Sequence, residues 1–252
     1  MGNNIYLNRS TPKIFQNAKL SVIIPVYNEK ENIEEVVRRT EKTLGNNTFE
    51  LVIVDDNSPD GTGKIVKQLN EVYGNLKLMH RSNTLGLSSA ILAGFERSNR
   101  GSHIFAVMDA DLQHPPELLF KMYREILKGN DLVIASRYVT GGGISAWSLR
   151  RKIISRLANL VAHVLLPETR IISDTMSGYF MIKRSVLANT KFKSVGYKIL
   201  IAILVKGNYN NLSEIPFLFE PRKNGRSNLK MEEIKNHILD IMTLLIASFG
   251  HR

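Results

Sequence analysis

Leu20-Ser-Val-Ile-Ile-Pro-Val26, a charged amphipathic run from Glu31 to Leu44 closed by Gly45, and Phe49-Glu-Leu-Val-Ile-Val54 decide the fold. Two short, nearly unbroken apolar runs flanking a helical period form one βαβ unit. The alternation continues. Asp60 is a plausible N-cap for a helix through Tyr73, stopped by Gly74; a strand at Leu76 to His80, a helix around Leu87 to Arg97 and a strand at His103 to Met108 follow. Strands this rich in Val and Ile are buried on both faces, so the sheet is expected to be mostly parallel and flanked by helices.

Downstream, Pro115-Pro116 should open a helix ending near Lys128-Gly129, and Asp131 to Ser136 the next strand. The second half is less regular: a Gly141-Gly142-Gly143 hinge, an amphipathic basic helix from about Trp147 to Leu166, a segment Asp174 to Lys183, a helix from about Val195 to Lys206, a strand near Leu212 to Phe217 and a polar loop from Glu220 to Lys230. No repeat or composition shift marks a linker. The expected organisation is a tail over 1–19, one α/β domain over 20–230, and an interfacial or docking helix over 231–252.

The chain has 252 residues, 43% of them hydrophobic, and no cysteine, which excludes disulfides, Cys-ligated metals and a thiol nucleophile. Lys and Arg number 34 against 23 acids, a net charge of +11 that favours an anionic partner. No run reaches the ~18 apolar residues of a membrane span. The most apolar end, Ile238 to Phe249, is interrupted by Asp240 and suits a surface-lying helix or a terminal core helix.

In open α/β sheets ligands sit beyond the carboxyl ends of the strands. Those positions are polar here: Pro25-Val-Tyr-Asn-Glu29, Asp55-Asp56-Asn57-Ser58 and Asp109-Ala110-Asp111-Leu112-Gln113. The first loop lacks a G-x-G-x-x-G and a Walker lysine, against nicotinamide and P-loop readings. Asp109 and Asp111, two apart at a strand end, can face one ligand, and two hard oxygens suit Mg²⁺ or Mn²⁺ bridging phosphates; a solvated helix-capping loop has the same spacing. Gln113 could add a neutral oxygen. Asp56 stands where α/β proteins often bind a ribose or base edge.

Arginine forks at Arg137, Arg150, Arg151, Arg156, Arg222 and Arg226 could grip phosphates. Over 149–166, Ile153, Ile154, Leu157, Leu160, Val161, Val164 and Leu165 recur at helical spacing while basic residues load one end, as in a helix resting on anionic lipid, though a core helix has the same apolar positions. Trp147 reads as structural or interfacial. His80, His103, His114 and His163 show no metal-ligand spacing, and no G-x-S-x-G is present. The strand-end acids would repel a nucleic-acid backbone, so none is expected as partner.

Seven pieces in fixed order then make the chain recognisable: Ile24-Pro-Val-Tyr-Asn-Glu29, Val54-Asp-Asp-Asn-Ser58, Asn83-Thr-Leu-Gly-Leu87, Met108-Asp-Ala-Asp-Leu-Gln113, Ala135-Ser-Arg-Tyr138, Asp174-Thr-Met-Ser-Gly-Tyr179 and Pro221-Arg-Lys-Asn-Gly-Arg-Ser227. Together they resemble the glycosyltransferase family 2 enzymes, and within them the dolichol-phosphate (polyprenyl-phosphate) mannose synthases. The resemblance implies a GT-A fold, a nucleotide-sugar donor, a divalent cation (Mg²⁺ or Mn²⁺) and inversion at the anomeric carbon. The implied reaction moves mannose from GDP-mannose to a dolichyl or polyprenyl phosphate at the cytoplasmic face of a membrane, alone or with small membrane-protein partners. A polyprenyl-phosphate glucosyltransferase using UDP-glucose is the alternative.

By matching position, the resemblance assigns Pro25, Tyr27, Glu29, Val54 and Asp56 to the nucleoside, Asp109, Asp111 and Gln113 to the metal, and Ala110 to the donor. Arg137 and Arg222 would bind donor or acceptor phosphates, and Arg151 and Ser155 the lipid phosphate, with Asp111 and Arg222 closest to the chemistry. Where the family usually has Lys in the last motif, this chain has Asn228, with Lys230 two residues on.

Overall fold

A computed structural model describes residues 19–45, 48–82, 86–145, 147–190, 192 and 199–222. The elements run β1 (Lys19–Val26), α1 (Ile33–Leu44), β2 (Phe49–Asp55), α2 (Thr62–Tyr73), β3 (Leu76–His80), α3 (Leu87–Arg97), β4 (Ser102–Val107), α4 (Leu118–Leu127), β5 (Leu132–Ser136), β6 (Gly143–Ile144), α5 (Leu149–Leu165), β7 (Phe180–Lys183), α6 (Ile199–Lys206), β8 (Leu212–Pro216) and β9 (Leu218–Phe219). The main sheet has the order β3-β2-β1-β4-β7-β5-β8; every pairing is parallel except those of β7, which is antiparallel to both neighbours.

Period-two side chains build a core on each face of this sheet. Val22, Ile24, Leu51 and Ile53 point to the layer holding α1, α2 and α4, while Ile23, Val52 and Val54 point to the layer holding α3 and α6. Gly94 lets α3 come close to β1: a Cβ there would clash with Ile23 Cγ2.

Three expectations change. Pro115-Pro116 does not begin the helix; both form turns whose carbonyls accept from the Leu118 and Leu119 amides, and α4 starts at Leu118. Asp60 lies one residue before the cap position, which Gly61 takes in a left-handed conformation; the Asp60 carboxylate instead accepts from the Thr62 amide and hydroxyl and the Lys30 amide. The expected glycine hinge is a close approach: a Cβ on Gly142 would lie 2.6 Å from the Ser136 carbonyl oxygen, and Gly143–Ile144 pairs with Leu218–Phe219. The segment Asp174 to Lys183 supplies the antiparallel strand. The 231–252 helix, most of the 1–19 tail and the loop past Arg222 lie outside the described residues.

Candidate active site

The carboxyl ends of β1, β2 and β4 open on the same edge of the sheet, because the three strands are adjacent and parallel. The loops leaving them are conformationally demanding. Asn28, Asn57 and Leu112 have φ of 57°, 60° and 64°, a left-handed region that asparagine tolerates and leucine rarely enters. Such local strain is characteristic of sites where loop shape is held for function. The loops are tied together: the Asn28 amide donates to Ser58 Oγ (2.9 Å), the Glu29 amide to Thr62 Oγ1 (3.1 Å) and the Asp56 amide to the Val26 carbonyl (3.1 Å).

Pro25 and Val54 are register partners of β1 and β2, Pro25 half-buried and Val54 fully buried, with Tyr27 exposed just beyond them. Asp56 is buried and held in a bidentate pair by Arg81, whose Nε and Nη2 donate to its two oxygens at 2.5 and 2.6 Å. Glu29 is buried, accepts from Asn32 Nδ2 (2.7 Å) and pairs with Arg222, so the chain returning from β9 crosses to the β1 loop. Gln113 fastens the same crossing, its Nε2 donating to the Glu220 carbonyl at 2.8 Å.

Asp109 is half-buried and Ala110 buried; the Gln113 amide donates to Asp111 Oδ1 (3.1 Å). Burial first, and the Asp109 charge second, push the Asp111 carboxyl above the ordinary carboxylate range; Glu29 is likewise raised by burial, with Asp111 adding to it. Two hard acids that repel one another in a half-buried loop fit a divalent cation. Among the described residues no three His, Asp or Glu side chains converge on a metal-sized point, so an ion here would complete its shell with an amide oxygen, water or phosphate.

A second group forms beyond β5. Arg137 donates to buried Asp174 through Nε and Nη2, both at 2.7 Å, and the Asp174 amide in turn donates to Glu214. Ser148 caps α5 by accepting from the Arg151 amide, and Ser155 accepts from the Tyr138 hydroxyl at 2.8 Å. The two groups meet through rings, His114 to Phe219 at 6.1 Å and Phe219 to Trp147 at 5.3 Å. Asn228, placed by sequence in the same region, lies outside the described residues.

The spacing of His114 speaks only to metal binding, whereas the fold gives it another part. It is buried under Tyr179, Phe217 and Phe219, and its Nδ1 accepts from the Asp109 amide at 3.0 Å, so it braces the acidic loop. Its place directly behind Asp109-Ala-Asp111 was the available signal.

The glycosyl transferase family 2 pattern matches residues 21–190, which hold all three strand-tip loops and α5. The chain belongs to glycosyl transferase family 2. This family 2 chain is 42% identical to dolichol-phosphate mannosyltransferase of Pyrococcus furiosus over 90% of its length and 64% of that protein's, so it spans slightly less than two thirds of that relative. It is 35% identical to dolichol-phosphate mannosyltransferase of Saccharomyces cerevisiae, covering 91% of this chain and 88% of that one, and 35% identical to polyprenol monophosphomannose synthase of Mycolicibacterium smegmatis, covering 87% and 84%. Among solved structures, glucosyl-3-phosphoglycerate synthase of Mycobacterium tuberculosis, crystallised with Mn²⁺, UDP-glucose and phosphoglyceric acid, superposes with a TM-score of 0.65 over 92% of this chain and 80% of that one at 18% identity. Mannosyl-3-phosphoglycerate synthase of Rubrobacter xylanophilus gives 0.66 over 93% and 76% at 13% identity. The α/β sheet of the family 2 chain is thus the GT-A fold that the motifs implied.

Proposed function

We propose that the protein transfers mannose from GDP-mannose to a dolichyl or polyprenyl phosphate, with inversion. The observation that carries this reading is the convergence of Asp109 and Asp111 with Glu29 and Arg222 at one sheet edge, joined by a ring chain to Arg137 and Arg151. Acids for a cation lie at one end and guanidinium forks for phosphates at the other, and the names of the three relatives agree with it.

Pro25, Tyr27, Glu29, Val54 and Asp56 would hold the nucleoside, with Arg81 fixing the Asp56 carboxylate. Asp109, Asp111 and the amide oxygen of Gln113 would hold Mg²⁺ or Mn²⁺, and Ala110 would lie against the donor. When bound, the cation offsets the negative charge of the donor diphosphate. Arg222 would bind the departing diphosphate, and Arg137, Arg151 and Ser155 the acceptor phosphate. A phosphate monoester is already ionised near pH 7, so its oxygen can form the bond to the anomeric carbon while the bond to the diphosphate breaks and its electron pair leaves with GDP. No strong protein base is required.

Membrane attachment belongs to the same proposal. Leu149, Ile153, Leu157, Leu160 and Val164 are each more than half exposed and recur every three or four residues along one stripe of α5, while its buried positions are Asn159 and Ala162. That inverts the usual polarity of a helix packed on a core and suits a helix lying in the headgroup layer at the cytoplasmic face, with Arg150, Lys152 and Arg156 toward anionic lipid. Among the described residues no helix is long and apolar enough to cross a membrane.

The deciding experiment is transfer of labelled sugar from GDP-mannose and from UDP-glucose to a polyprenyl phosphate, with and without EDTA. EDTA-sensitive transfer from GDP-mannose alone is expected; transfer from UDP-glucose alone, or none, overturns the proposal.

A further inference from the structure

Gly178, two residues before β7, lies directly against the Asp109 carboxylate. A Cβ on Gly178 would stand 3.6 and 3.8 Å from the two Asp109 carboxylate oxygens and 3.3 Å from His114 Cε1, so the acid and the imidazole both rest on bare backbone. The direction of β7 is what delivers this glycine: the strand runs against β4, and its leading residue Phe180 pairs with Val107 at the carboxyl end of β4.

His114 completes the support. It is buried, its ring stacks on Tyr179 at 5.0 Å and meets the Phe217 and Phe219 edges at 6.0 and 6.1 Å, and its Nδ1 accepts from the Asp109 amide at 3.0 Å. The Tyr179 hydroxyl donates to the Pro115 carbonyl at 2.9 Å, which fastens the stack to the chain just beyond His114. Asp109 is thus backed at its amide and at its carboxylate. Asp111 is held from within the loop, its Oδ1 accepting from the Gln113 amide across Leu112, whose φ is 64°.

Two acids fixed in this way suit an ion that takes few protein oxygens in a strict octahedron and completes its shell with water and phosphate, as Mg²⁺ and Mn²⁺ do. Ca²⁺ takes about six to eight oxygens at longer distances and is served by loops that can spread. With its carboxylate against Gly178, Asp109 has no room to retreat.

We propose that Gly178 and His114 select the cation: they form a fixed floor under Asp109 that favours Mg²⁺ or Mn²⁺ over Ca²⁺. This rests on the cation role given to Asp109 and Asp111 above. It adds two positioning residues that touch neither ion nor substrate.

The test uses the full chain and the metal ions alone. Mn²⁺ binding is read from loss of the free-ion electron paramagnetic resonance signal, Ca²⁺ binding from its competition, and exchange of the Asp109 amide by NMR on the metal-free protein. The parent should prefer Mn²⁺ by about tenfold or more. His114→Phe keeps a ring but removes the acceptor; it should speed Asp109 amide exchange about tenfold. The same change should weaken Mn²⁺ about tenfold and leave Ca²⁺ within about twofold. In His114→Asn the amide oxygen can replace Nδ1, and most of the Mn²⁺ affinity should return. Gly178 is not among the glycines with positive φ, so Gly178→Ala acts through its methyl alone. It should lower the Mn²⁺/Ca²⁺ ratio about threefold or more, which keeps the proposal testable if His114→Phe does not fold. Equal losses for the two ions, unchanged affinity for both, or no Mn²⁺ binding by the parent overturns the proposal. Selective loss of Mn²⁺ as expected, with no mannose transfer by the parent, upholds the floor and overturns the function assigned above; mannose transfer with equal losses overturns the floor alone.

Discussion

The β1–β4 half of the molecule and the α5 region solve opposite problems with similar residues. In the first, charged side chains are drawn inward: Asp56 and Glu29 are buried, each is paired to an arginine, and the backbone beside them accepts left-handed conformations at Asn28, Asn57 and Leu112. In the second, a stripe of apolar side chains is turned outward, and the inward face joins small apolar contacts at Ala158 and Ala162 to hydrogen bonds: Ser155 to Tyr138, and Asn159 Oδ1 accepting from both the amide and the hydroxyl of Thr175 at 2.8 and 2.7 Å. A core-packed strand edge can hold loops in demanding shapes, which suits a site for a charged nucleotide. A helix held by a few polar contacts can keep its greasy stripe for another phase. On the proposed function, the difference predicts that the donor and acceptor ends are separable by mutation.

The sharpest separation should come from the acidic loop. Asp111→Ala is expected to lower transfer by about three orders of magnitude or more while leaving vesicle flotation unchanged; loss of both together would break the distinction. Next, Leu157→Glu with Leu160→Glu should abolish flotation with anionic vesicles and reduce transfer to long-chain polyprenyl phosphate, yet retain most turnover of a short, soluble prenyl phosphate. Equal loss on both acceptors would place the damage in the fold.

Asn159→Leu should cost about 2–3 kcal/mol of stability in urea unfolding, since it strands two buried Thr175 donors without a partner. Thr175→Val in the same background should add little, because the pair is already broken. The smallest effect is one of opposite sign. The folded chain holds the Asp111 carboxyl above its ordinary value, so the ionised form opposes folding; that penalty grows as pH rises from the unfolded-state pKa through the folded one and is absent at lower pH. Asp111→Asn is therefore expected to raise the melting temperature of the metal-free protein by a few degrees at pH 7, and to leave it unchanged near pH 3. A lower melting temperature at pH 7 would contradict the assigned burial cost.

Much of this was legible in the residues. The Val- and Ile-rich runs of β1, β2 and β4 are buried on both faces, and the helix stops at Gly45 and Gly74 frame them, so these strands read directly, as does the shorter edge strand β3 after Gly74. β7 did not: Phe180-Met-Ile-Lys183 is four residues long, and nothing local states that it enters between β4 and β5 or runs against them. The amphipathic pattern over 149–166 gave the helix but not which face meets the protein, because the inward anchors, Asn159 and Ser155, find their partners at Thr175 and Tyr138, far along the chain. Arg137 was recognisable as a phosphate candidate, whereas its lock on Asp174 needed the fold. His114 escaped for a related reason: its contacts with the Asp109 backbone amide and with three rings make no spacing, and only its place just after the acidic loop hinted at them.

The central claim is that the acids of the β4 loop share one cation with a nucleotide diphosphate. Crystals grown with Mn²⁺ and GDP, measured at the manganese absorption edge, address it directly. A single anomalous peak between the Asp109 and Asp111 carboxylates, in contact with the GDP phosphates and with Arg222 beside them, is the expected result; GDP bound with no manganese at those acids, or manganese bound elsewhere, would contradict it.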